Sequence, residues 1–223
     1  MGNKMHLALF DMDHTLVPAD TGSLWAEFLL DKGLISSEKS AERAKFLLDY
    51  HAGNLDIEAA YAFELGVLQS LGVEKRKDLL QVFFAERIRP LITPKALQAV
   101  AKHRDNGDYL LMITATVDEI ARPVAEFFAM DHLIAGRGEV DAAGNYTGKV
   151  ELAPCMGRGK LIHLEDWLVR SGNNPLEYTF YSDSHNDLPL LEQVDMPIAV
   201  DPDPKLRQIA EENNWQIISF LDV

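Results

Sequence analysis

The sequence predicts an α/β protein, a doubly wound and mostly parallel sheet with a helical bundle inserted near its start. Short apolar runs at 7–10, 109–113, 178–181 and 196–200 lack polar alternation, as strands do when helices cover both faces. From residue 90 onward these runs alternate with amphipathic helical stripes, the pattern of strand–helix–strand crossovers. Between the first run and the second, from about 17 to 89, every apolar stripe has helical spacing. The expected organisation is a discontinuous sheet domain, 1–16 and 90–223, and an inserted helical domain, 17–89.

Each element carries its own punctuation. Leu7, Ala8, Leu9 and Phe10 form the first strand, which stops at Asp11. Leu24, Phe28 and Leu29 make a helical stripe before Gly33, and Ser36 and Ser37 can cap a second helix that runs to Tyr50 and stops near Gly53. Ile57, Tyr61, Leu65 and Leu68 line a third helix before Gly72; Leu79, Val82 and Phe83 line a fourth before Pro90. Thr93 and Pro94 read as an N-cap and the first helical residue of a helix closed by Gly107. The strand 109–113 then ends in Thr114, after which Thr116 and Glu119 have the spacing of a capping box for a helix to about Ala129. Residues 132–135 give another strand, and 138–150 a hairpin turning near Gly144 and Asn145. A helix follows with Lys160 near its start, Leu161, Leu164 and Leu168 on its inner face, and Gly172 at its end. The strand 178–181 runs into Ser182-Asp183-Ser184-His185-Asn186-Asp187, and Pro189 opens a short helix. Residues 196–200 form one more strand, Asp203 and Pro204 cap a helix to about Asn213, and 215–220 add an edge strand.

Composition narrows the function. A chain of 223 residues with 47% hydrophobic content can bury a sizeable core. Its net charge of -14 argues against nucleic acid or an anionic membrane as partner, because phosphate backbones are held by Lys and Arg. The single cysteine, Cys155, forms no internal disulfide, and no Cys/His cluster is present for zinc. With no leader pattern or myristoylation motif in residues 1–6 and no membrane-spanning apolar run, the expected setting is cytoplasmic. Nothing in the sequence sets an oligomeric state.

The chemistry gathers at strand ends. Asp11 and Asp13, one residue apart, are by themselves also an ordinary turn or helix-cap pair. Close carboxylates raise each other's pKa, and a divalent cation relieves that repulsion while keeping them ionised. A parallel sheet collects its carboxyl ends at one edge, which would bring Asp11 and Asp13 to Thr114, Lys160, Asp183 and Asp187. Acids for a hard cation, a hydroxyl, a lysine and helix N-termini compose a phosphoryl site.

These four segments, in this order, resemble the haloacid dehalogenase superfamily, in the branch similar to phosphoserine phosphatase. The matching residues are Asp11-Met-Asp13-His-Thr15, Thr114, Lys160 and Asp183-Ser-His-Asn-Asp187, with the helical insertion where that branch carries its cap over a Rossmann-like core. The resemblance covers almost the whole chain. Two departures stand out: Ser182 replaces a frequent glycine, and His14 occupies a position where small residues are common. The resemblance implies Asp11 as nucleophile and Asp13 as general acid and then base. It implies Mg²⁺ held by Asp11, the main-chain carbonyl of Asp13, and Asp183. Thr114 and Lys160 would bind the transferring oxygens, and Asp187 would either reach the metal through water or orient Lys160.

Other readings stand beside this one. A phospho-accepting signalling domain also uses an aspartate, a metal, a threonine and a lysine, but it leaves the helical insertion and Asp13 unexplained. Trp25 and Tyr61 read as bundle core, and Cys155 lacks the neighbouring base a nucleophile needs. Asp20 stands where phosphoserine phosphatases place a glutamate and is a candidate substrate-binding residue. The expected substrate is a small phosphorylated metabolite. Phosphoserine is disfavoured, because no Arg or Lys lies between Leu55 and Val73 to take its carboxylate, and Ala62 aligns with the family's arginine. An amino-alcohol phosphate such as histidinol phosphate suits Asp20, Glu58 and Glu64 better; phosphoserine returns as the alternative if Arg43 serves instead.

Overall fold

The computed structural model describes residues 5–221, apart from the side chain of His51. Residues 1–4, on which the leader reading partly rests, and residues 222–223 lie outside the described residues. Strand β1 (His6–Phe10) is central in a seven-stranded sheet ordered β4-β3-β2-β1-β5-β6-β7. It pairs with β2 (Tyr109–Val117) and β5 (Glu177–Ser182); β3 (His132–Val140) follows β2, and β6 (Met196–Val200) and β7 (Gln216–Ile218) follow β5, all in parallel ladders. Only β4 (Tyr146–Leu152) is antiparallel, closing the hairpin with β3 at one edge.

Strand period two explains the two-sided core. Ala8, Phe10, Leu110 and Met112 face one side with α5 (Pro94–Asn106) and α6 (Asp118–Phe127), through Ala96, Val100, Ile120 and Val124. Leu7, Leu9, Leu111 and Ile113 face the other with α7 (Arg158–Ser171), α8 (Leu188–Leu191) and α9 (Pro204–Glu212), through Leu164, Leu190, Leu191 and Leu206.

Between β1 and β2 lie α1 (Thr21–Asp31), α2 (Ser37–His51), α3 (Ile57–Ser70) and α4 (Val73–Phe83), then a π turn (Phe84–Ile88) and a 3₁₀ turn (Arg89–Leu91). Trp25, Phe28, Leu68 and Phe83 join the cluster that contains Phe10 and Met12, so bundle and sheet share one apolar core. A buried cation adds a second tie. Arg76 on α4 pairs with Glu119 of α6 at 2.6 Å, donates to the Gly144 carbonyl at 3.0 Å and covers the Tyr146 ring at 4.7 Å. Among the described residues, no helix is long and apolar enough to cross a membrane.

Two local expectations change. β2 does not end at Thr114 but continues to Val117, with a register shift between Thr114 and Val117 against β3. The Thr116–Glu119 capping box does not form either. Val117 occupies the N-cap without a side-chain bond, and the Thr116 hydroxyl reaches Asp13 instead. A long-range bond to a buried carboxylate has displaced the local cap.

Candidate active site

Register places the acids. Phe10 lies opposite Met112 and Tyr181, so Asp11 and Asp13 leave the sheet at the edge that Thr114, within β2, and Asp183, just beyond β5, also reach. The Asp11 amide donates to the Tyr181 carbonyl at 3.0 Å, holding the chain in line beyond the ladder. His14 then turns it with φ at 55°, a left-handed value that few side chains adopt, at the mouth of the site.

One cavity of about 120 Å³ is bordered by Asp11, Asp13, Thr114, Lys160, Asp183 and Asp187, which limits its occupant to metabolite size. The Lys160 ammonium, 3% exposed, donates to Asp11 Oδ1 and to Asp187 Oδ2, each at 2.7 Å. Burial alone would favour a neutral amine, but the two carboxylates outweigh it and hold Lys160 protonated. Ser182 donates to the same Asp187 oxygen at 2.7 Å and accepts the Ser184 amide, so the residue that replaces glycine braces the lysine's partner.

Burial pushes Asp11 from 3.8 up to about 7; Lys160 opposes the shift, and Asp187 and Asp13 add to it. Asp13 also rises to about 7 through burial and the charge of Asp20, against hydrogen bonds from Thr116 and Thr21. Those bonds fix its carboxylate: Thr116 Oγ1 donates at 2.6 Å and the Thr21 amide at 3.1 Å. Asp183 is raised by burial and by Asp11, and accepts from Thr15 Oγ1 at 3.2 Å. The Thr114 hydroxyl accepts the Thr116 amide at 3.1 Å, leaving its own proton for a ligand in the cavity.

The bundle closes the other end. Asp20 caps α1 by accepting the Ser23 amide at 2.6 Å and also accepts from Arg43 Nη2 at 2.8 Å. Arg43 Nε donates to Glu64 Oε1 at 3.0 Å. Tyr50 on α2 meets Ser184 Oγ at 2.8 Å, a direct bond from bundle to sheet domain. Tyr61 borders the cavity, 3% exposed, and its hydroxyl has no partner among the described residues. An unsatisfied buried hydroxyl costs about 1–3 kcal/mol.

A family model described as haloacid dehalogenase-like hydrolase matches residues 8–192. The chain belongs to that family. A histidinol-phosphatase from Neisseria meningitidis serogroup C (strain 8013) is 37% identical over 219 residues, 96% of this chain and 99% of that one. A solved protein of unknown function from Bordetella pertussis Tohama I is 37% identical with a TM-score of 0.91, covering 98% of this chain and 100% of the other. A substrate-bound phosphoserine phosphatase structure shares the fold, with a TM-score of 0.70 at 22% identity, covering 98% of this chain and 94% of that one. The enzymatic class of this haloacid dehalogenase-like chain is that of a phosphatase.

Asp11, Asp13, Asp20, Thr114, Lys160, Asp183 and Asp187 all border this one cavity. Asp187 touches Lys160 directly, one of its two expected duties. Ala62 is exposed and Glu58 likewise, so neither faces the site; on α3 it is Ile57, Ala60, Tyr61 and Glu64 that border it. Tyr61 is therefore both bundle core and cavity wall. Thr116, Tyr50 and Ser182 were not expected in the site. Thr116 gave a signal as a hydroxyl two residues after Thr114, and Ser182 as the residue in place of a glycine beside Asp183; Tyr50 gave none.

Proposed function

We propose that this phosphatase is a Mg²⁺-dependent phosphomonoesterase that hydrolyses a small phosphorylated metabolite through an aspartyl-phosphate, with an amino-alcohol phosphate such as histidinol phosphate as substrate. The observation that carries the substrate is Arg43. It is the guanidinium bordering the cavity, and Asp20 and Glu64 already hold it. A substrate carboxylate would meet two acids and no unclaimed arginine. The name of the Neisseria relative supports the same reading.

The donor set suits the metal. Asp11, Asp13, Asp183 and Asp187 face one lysine, an excess of three negative charges on hard oxygen donors. Asp11, Asp183 and the main-chain carbonyl of Asp13 would hold Mg²⁺, which when bound would offset two of those charges and polarise the phosphoryl group. Asp11 attacks phosphorus in line as the ester P–O bond breaks, and Asp13 gives its proton to the leaving oxygen. Asp13 then takes a proton from water, whose oxygen displaces Asp11 from phosphorus and yields inorganic phosphate. Lys160 and the Thr114 hydroxyl bind the transferring oxygens. Asp187 and Ser182 keep the lysine aimed. In this reading 17–89 is a cap over a catalytic core of 1–16 and 90–223, and the setting is cytoplasmic.

Steady-state phosphate release is the test, from para-nitrophenyl phosphate, phosphoserine, phosphoethanolamine and histidinol phosphate, with Mg²⁺ and with a chelator. Many turnovers that need Mg²⁺, with the highest specificity constant on histidinol phosphate, are expected. Stoichiometric release would make the chain a phospho-accepting signalling domain. Phosphoserine at or above every amino-alcohol phosphate would overturn the substrate reading.

A further inference from the structure

The leaving-group end of the cavity is built for a particular shape and charge. Two glycines make it. A Cβ at Gly136 of β3 would lie 2.6 Å from Tyr61 Cζ, so the phenol can seat only because that residue has no side chain. A Cβ at Gly22 of α1 would lie 2.7 Å from Glu64 Oε1 and 3.0 Å from Arg43 Cζ, so the charged cluster needs that glycine too. Arg43, Asp20 and Glu64 are mostly buried, with side chains 11%, 19% and 15% exposed, and together carry one net negative charge. Asp20 and Glu64 each commit one carboxylate oxygen to Arg43; among the described residues no hydrogen bond reaches Asp20 Oδ2 or Glu64 Oε2. The Tyr61 hydroxyl is sealed against Gly136, so Tyr61 serves this end of the cavity as wall. Phe46, Leu47, Leu55 and Ile57 supply apolar wall beside these groups.

We infer that Glu64 is the specificity residue for the leaving group: Glu64, with Asp20, takes a cationic amine beside the apolar wall. Arg43 serves inside this cluster as a fixed counter-ion. This inference rests on the proposed phosphomonoesterase activity and assigns the residues that choose its substrate. An ammonium brings the cluster to neutrality, whereas an added carboxylate doubles its excess charge in a site with little water.

The experiment compares kcat and KM for histidinol phosphate, phosphoethanolamine and para-nitrophenyl phosphate in the wild type and Glu64→Gln. Glu64→Gln keeps the shape and removes the charge. Its ratio of kcat/KM for either amine ester to that for para-nitrophenyl phosphate should fall about 10- to 100-fold, mainly through KM, as expected when one charged hydrogen bond is lost. An unchanged ratio in Glu64→Gln would overturn the assignment. Should Glu64→Gln fail to fold, the wild type still decides: histidinol should inhibit para-nitrophenyl phosphate hydrolysis at least about tenfold better than histidine, which adds a carboxylate. Equal inhibition would refute the assignment. A wild type inert toward every ester would instead refute the phosphomonoesterase reading itself.

Discussion

Replacing Lys160 with methionine removes the one cation between two buried acids while keeping the length of the side chain. The lysine is 3% exposed and makes a 2.7 Å bond to each of Asp11 and Asp187, whose side chains are 10% and 4% exposed. Deleting one partner of such a buried pair costs about 3–5 kcal/mol, because the remaining charge is stranded. For a chain of this length that lowers Tm by about 6–20 °C. The deficit has a pH sign. Asp11 titrates at about 7 in the fold against 3.8 unfolded, so between these values the folded state holds the proton more tightly. Stability from such a raised carboxyl is complete below 3.8 and is lost as pH rises through about 7. The variant, with the lysine gone, should therefore be most impaired at pH 8 and least at pH 5. Thermal unfolding of metal-free protein at both values measures this, and adding Asp187→Asn should return part of the loss at pH 8 by removing one stranded charge. A Tm within about 2 °C of wild type at pH 8, or a double variant no better than the single, would refute a buried electrostatic role for Lys160.

Three further outcomes follow from the same geometry. Thr116→Val should lower kcat about 10- to 100-fold with little change in KM, since the 2.6 Å bond that holds Asp13 disappears; a kcat within twofold would remove Thr116 from the site. Tyr50→Phe loses the bond to Ser184, and amide exchange across α2 should quicken by about 3- to 10-fold; unchanged protection would mean that the bond does not fasten the bundle. Asp203→Asn should cost about 1–2 kcal/mol in urea unfolding, because Asp203 caps α9 through the Lys205 and Leu206 amides and also accepts from the His185 amide. Although burial opposes it, those hydrogen bonds hold the Asp203 carboxyl below its usual value, so its stabilisation is present above about pH 4 and is lost as pH falls; equal stability of variant and wild type at pH 7 would contradict this.

Much of this was legible in the sequence because the signals are local. Thr93, Pro94 and Gly107 bound α5 as their side chains and backbone preferences dictate, and Ser36 caps α2. The acids at the ends of β1 and β5 needed only the rule that parallel strands share an edge. What escaped is long-range. Thr116 satisfies a capping-box pattern, yet its hydroxyl bonds a carboxylate 103 positions away. Tyr61 has the spacing of a core residue and also borders the cavity, a distinction that depends on Gly136 across the fold. Ala62 shows how sensitive a helix is to register. One residue turns the side chain by about 100°, which puts Ala62 outside and Tyr61 within.

Covalent catalysis at Asp11 is tested most directly by trapping. Enzyme quenched during turnover with Mg²⁺ and treated with borohydride has any acyl phosphate reduced to an alcohol, and peptide mass spectrometry locates it. The expected result is conversion of Asp11 alone to homoserine, absent in Asp11→Asn, whose turnover should fall by at least about 10³-fold. Reduction at Asp13 or Asp183, or full turnover with no reducible residue under conditions that trap a known acyl phosphate, would contradict it.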